Sequence, residues 1–146
     1  MTPTAPNVNV VERRLALQRG LLLEMRKLQP LSVERLANEP VIRAAIERMM
    51  QSIVDLALDI NSHIASSVLD RAPSTGRESF DLMVIIGIIE AEHADRLKPA
   101  VGLRNILVHM YADIDVTVIA ESIDAFETMF STYVRVVAQW LLRRVE

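Results

Sequence analysis

Cysteine is absent from this 146-residue chain, which excludes disulfides and thiolate-bound metals. Its absence also fits a reducing compartment. Lysine is scarce: Lys27 and Lys98 are the two lysines among 16 basic residues, and the others are arginine. Arginine suits bidentate phosphate contact, although genome base composition explains the same bias. Long apolar runs are missing. The longest, residues 82–89, is interrupted by Gly87 and falls far short of the roughly 20 residues a bilayer crossing needs. The first residues carry no basic segment followed by an apolar one, so no secretion signal and a cytoplasmic setting are expected. Positive charge is not in excess either. A formal net charge of −3 and a pI near 5.6 argue against broad electrostatic binding of nucleic acid, but leave room for a local basic site.

What remains reads as a globular, all-α chain. Hydrophobic residues make up 51% and charged residues 24%, enough for one domain with a real core. Residues 1–8 read as a flexible, Pro-containing N-terminal tail, and residues 9–146 as one helical bundle domain. A first helix is predicted over residues 9–28 from Val11, Leu15, Leu22 and Met25, ended by Pro30. A short turn follows, with Ser32 as its cap. A second helix opens at Pro40 and carries Ile42, Ile46, Met49, Ile53, Leu56 and Ile60 as a heptad seam. Residues 70–77 form a loop, and a short apolar helix starts near Glu78.

The next helix begins near Ala91, and Pro99 and Gly102 predict a kink or break in it. It continues to about Ala112. The last helix, residues 116–144, repeats Ile119, Ile123, Phe126, Phe130, Tyr133, Val137 and Trp140. Two long seams and no strand alternation predict an up-and-down bundle of four to five helices.

The most informative segment is Gly102-Leu103-Arg104-Asn105-Ile106-Leu107-Val108-His109-Met110-Tyr111. Arginine can grip a phosphate with two parallel hydrogen bonds, and histidine moves protons near neutral pH. On one helix Arg104 and His109 stand about 140° apart around the axis. A two-fold copy of the segment would bring a second pair to face the first, and so enclose one phosphate in a symmetric dimer. Burying Arg104, Asn105 and His109 without partners would be costly, so the cluster is more than incidental polarity.

Other candidates are weaker. Glu90 and His93 have a di-iron-like spacing, but a second such pair is missing, and a solvated charge with a helix cap is the simpler reading. His63 continues the seam of the second helix and reads as a satisfied core or interface histidine. Arg143 and Arg144 suit a helix C-terminus. Ser66 and Ser131 lack any setting for nucleophilic catalysis.

The ordered motif Gly-Leu-Arg-Asn-x-x-Val-His-x-Tyr resembles the signature of the HepT-like branch of the HEPN family, toxins of HEPN/MNT toxin–antitoxin pairs. The likeness extends over nearly the whole chain. It includes Glu47-Arg48, the segment from Leu58 to Ile64 that closes the second helix, the loop around Pro73 and the long last helix. Pro99-Ala100 and Met110 depart from the usual pattern. The resemblance implies an all-helical homodimer and a metal-independent endoribonuclease that needs no cofactor. By matching position, Arg104 would neutralise the scissile phosphate, His109 would act as general acid/base, and Asn105 would orient the site. An MNT-type nucleotidyltransferase antitoxin would silence the toxin by attaching AMP to Tyr111, since a bulky anion beside His109 would repel RNA phosphates. The alternative is a non-catalytic helical protein that binds nucleotide or docks a nucleotidyltransferase.

Overall fold

Six helices make up the computed structural model, which describes residues 4–109 and 114–145: α1 Val8–Lys27, α2 Val33–Asn38, α3 Pro40–Leu69, α4 Gly76–Ile86, α5 Ala91–His109 and α6 Val116–Val145. The expected four to five helices become six because the turn after Pro30 is a helix of its own. Ser32 Oγ accepts the Arg35 N–H at 3.1 Å, which satisfies a donor the first turn would leave unpaired.

Local chemistry sets most other boundaries. Asn7 Oδ1 caps α1 by accepting the Val10 N–H. Pro40 occupies the first turn of α3, where its missing N–H costs nothing. Asp70 ends α3 in the left-handed region at φ 53°, a conformation Asp tolerates better than most side chains. Thr75 Oγ1 accepts the Glu78 N–H at the start of α4, and Gly87 closes that helix at φ 91°. Asp115 Oδ1 accepts the Thr117 N–H at 2.8 Å and starts α6.

The core lies where α1, α3 and α6 meet, with α4 and α5 packed against α3 and α2 against α6. Every residue of the predicted α6 seam is buried, as are Val11, Leu15, Leu22 and Met25 of α1. Phe126, Phe130 and Tyr133 stack along α6, with ring centroids 4.6 and 6.1 Å apart. Fully burying each such ring contributes on the order of 2–3 kcal/mol. The α3 seam is displaced from expectation. Met50 and Ala57 are fully buried while Met49 and Leu56 lie at the edge, because α1, α4 and α5 all pack on this helix and widen its buried face.

Three polar side chains are also buried. Asn61 Nδ2 donates to Ser79 Oγ at 3.1 Å, and the Tyr133 hydroxyl lies 2.6 Å from Asn61 Oδ1, joining α3, α4 and α6. Burial pushes the Tyr133 phenol well above its usual range, so it stays a neutral donor. Gln18 donates to the Ile53 carbonyl at 3.0 Å and ties α1 to α3.

Two further expectations change. Helix α5 runs through Pro99 and Gly102 without a break: Pro99 faces solvent while Leu97, Ala100 and Val101 hold the helix to the core. Residues 4–8, expected in a flexible tail, are tied to the fold. Val8 is helical, the Thr4 N–H donates to the Ser67 carbonyl at 2.6 Å, and the Asn7 N–H donates to His63 Nε2 at 2.9 Å. His63 is therefore the satisfied structural histidine its position suggested.

Candidate active site

The last turns of α5 carry Arg104, Asn105 and His109, and each sits in a different environment. Arg104 is half-buried. Its Nε donates to Asp55 Oδ1 of α3 at 2.6 Å, and its Nη1 donates to Asn105 Oδ1 at 3.3 Å. A guanidinium held through Nε keeps its remaining N–H groups for a ligand, in the fork geometry that fits phosphate oxygens. Asn105 is exposed and braces the guanidinium from the same helix.

His109 is exposed in the final described turn of α5. It lies ~7.5 Å along the axis from Arg104. None of the four principal cavities is lined by Arg104, Asn105 or His109. Tyr111, the expected AMP acceptor, lies outside the described residues.

Two residues near the motif were missed in the sequence. Asp55 belongs to a polar stripe on α3, Arg48, Ser52, Asp55 and Asp59 at steps of four, three and four, which walls a groove against Leu17 and Leu21 of α1. That stripe is legible once the apolar face of α3 is assigned, but its pairing with a residue 49 positions away is not. The second is Arg77 of α4. Its Nη2 lies 3.2 Å from where a Cβ on Gly102 would sit, so the glycine leaves room for a second guanidinium across α5.

His93 serves a different end of α5. Its Nε2 is 3.1 Å from the Met129 carbonyl of α6, and it lines a cavity of about 620 Å3. Burial lowers its pKa below 6.5, and the nearby Arg96 and Arg135 add to the effect against the carbonyl contact. His93 is thus a neutral strut between two helices.

Comparisons with known proteins converge. The family described as Ribonuclease HepT-like matches residues 20–137. A tRNA nuclease HepT of Aphanizomenon flos-aquae is 31% identical over 133 residues, covering 91% of this chain and 90% of that protein. An mRNA nuclease HepT of Shewanella oneidensis is 28% identical over 88 residues, covering 60% of this chain and 66% of the relative. Among solved structures, the tri-AMPylated Shewanella oneidensis HEPN toxin in complex with MNT antitoxin superposes with a TM-score of 0.80 at 20% identity. That match covers 89% of this chain and 97% of the other.

Proposed function

The chain belongs to the Ribonuclease HepT-like family, and from that premise we propose that it is an endoribonuclease toxin cutting RNA at a site shared by two copies of α5. One observation carries the reading: Arg104 is pinned through Nε by Asp55, and His109 stands exposed at the end of the same helix. One chain supplies both groups about 140° apart around one helix, and a two-fold partner would close the site.

In this reading the Arg104 guanidinium binds the scissile phosphate and stabilises charge as it builds on the non-bridging oxygens. His109 takes the proton from the ribose 2′-hydroxyl, whose oxygen attacks phosphorus, or returns one to the leaving 5′-oxygen as the P–O bond breaks. Asn105 keeps Arg104 in register. All of these groups come from the protein, so the reaction proceeds without metal or cofactor.

The toxin is silenced by an MNT-type nucleotidyltransferase that transfers AMP from ATP to the Tyr111 hydroxyl, releasing pyrophosphate. The added anion stands two residues from His109 and excludes RNA phosphate. One relative is named for tRNA and another for mRNA, so total RNA is the appropriate substrate for a first assay.

Purified wild type is expected to cut RNA in the presence of a chelator. His109→Ala is expected to lose about 10²- to 10⁴-fold in rate. Wild type that leaves RNA intact, with no growth difference from the variant on expression, would refute the proposal. Mass spectrometry after co-expression with the nucleotidyltransferase should find AMP on Tyr111, and an unmodified tyrosine would count against the silencing step.

A further inference from the structure

Two cavities lie side by side along α6 and share Arg135 in their linings. The first, about 620 Å3, holds His93, Arg96, Thr128, Thr132 and Arg135 between the start of α5 and α6. The second, about 530 Å3, runs between α1 and α6. Arg19, Arg26 and Arg135 rim it over a floor of Leu23, Val134 and Ala138.

Together the linings hold four arginines and a single carboxylate, Glu90, on a chain whose net charge is −3. The side chains of Arg19, Arg26 and Arg135 are exposed and make no ion pair or hydrogen bond with another described residue. Arg96 makes a 4.0 Å contact with the exposed Glu92 carboxylate, and its Nε donates to the Glu92 carbonyl at 3.4 Å. An arrangement of cations with so few carboxylates among them favours an anionic occupant.

We propose that this arginine-lined trough binds the phosphate backbone of single-stranded RNA, outside the segment that cuts it. Arg96 precedes Arg104 by eight residues on α5, or ~12 Å of helix. Arg19 and Arg26 are seven residues apart on α1, ~10.5 Å. The charges are thus spread along a track, as a repeating polyanion requires. Each cavity is of a size that holds one nucleotide-scale group. Guanidinium forks match phosphate oxygens, the hydroxyls of Thr132 and Ser131 can reach ribose, and the aliphatic floor can take the apolar faces of sugar and base.

The inference rests on the ribonuclease reading for its choice of ligand, but its test does not depend on cleavage. Binding of a fluorescent oligouridylate is measured on the non-cleaving His109→Ala protein over a range of salt concentrations. Arg26→Glu and Arg135→Glu, on opposite walls, are expected to weaken binding about tenfold each. Each should also reduce the slope of log affinity against log salt by ~0.7 for every phosphate no longer neutralised. Arg13→Glu, the same charge change on an exposed part of α1 outside both cavities, should do much less.

Unchanged affinity and slope in both trough variants overturns the inference, as does an equal loss in Arg13→Glu. So does a loss of nucleotidyltransferase binding with RNA binding intact, which would mark the trough as a protein dock. If wild type fails to cut RNA while the trough variants still lose binding, the cleavage reading falls and the trough stands.

Discussion

At the level of single residues, Arg104 is the group to which the proposed chemistry assigns the phosphate, and Asp55 is what holds it. The pair is partly open to solvent, so its contribution to stability is no more than ~1 kcal/mol. Its contribution to alignment is larger. Asp55→Asn is expected to lower the RNA cleavage rate about ten- to hundredfold while leaving the urea midpoint nearly unchanged. Arg104→Lys should not rescue Arg104→Ala, because an ammonium lacks both the fork and the Nε hydrogen bond to Asp55.

In the core, Tyr133→Phe deprives Asn61 Oδ1 of its buried donor. It should cost about 1–3 kcal/mol in denaturant unfolding. His93 supplies a pH signature. Its folded pKa lies below 6.5 because burial disfavours the cation, so the unfolded chain takes up the proton first as pH falls. The folded state therefore loses stability as pH drops below that ordinary value, and nothing is lost above it. His93→Gln should flatten this decline in thermal unfolding measured across the acid range.

Helix α5 shows how an element overrides local punctuation. Pro99 removes a backbone donor from the helix interior, yet Ala94, Leu97, Ala100 and Val101 are buried against the core and the helix continues to His109. Two glycines near it differ in kind. A Cβ at Gly76 would meet Val101 Cγ1 at 3.0 Å and Leu58 Cδ2 at 3.2 Å, where α4 crosses α5 and α3. At Gly102 it would meet only the far end of Arg77. Gly76→Ala should thus destabilise by about 1–3 kcal/mol. Gly102→Ala should instead gain ~0.5–1 kcal/mol of helix stability, as calorimetry can show, while displacing Arg77 from α5. Helix α3 is overridden in another way. A helix packed by four neighbours has a broad buried face, so its strict heptad reading misplaces Met49 and Leu56 by one residue each.

For the whole molecule, the proposed two-fold assembly is the property to test. No helix among the described residues is long and apolar enough to cross a membrane. On the proposed two-fold site, Ile106, 42% exposed beside the motif, would be covered by the second copy. Analytical ultracentrifugation should report twice the chain mass, and Ile106→Glu should shift the protein to monomer and abolish cleavage. Mixing provides the sharper measurement. Arg104→Ala and His109→Ala are each expected to be inactive alone, but a refolded mixture should regain activity, because mixed dimers contain one intact arginine–histidine pair contributed across the axis. Persistent inactivity of the mixture would mean that each chain works by itself.

The sequence alone determined the all-helical class, the α6 seam, most helix boundaries and the motif residues. Those features depend on periodicity, caps and side-chain chemistry within a few turns of one helix, where spacing and geometry are nearly the same thing. Tertiary structure decided that Pro99 would not break α5, that residues 4–8 would be anchored by His63 and Ser67, and that Arg104 would meet Asp55. It also decided that two cavities along α6 would share Arg135 in their linings. Each of these depends on which distant helices pack together, and side-chain burial and pairing across that contact are set by three-dimensional proximity, on which spacing along the chain is silent.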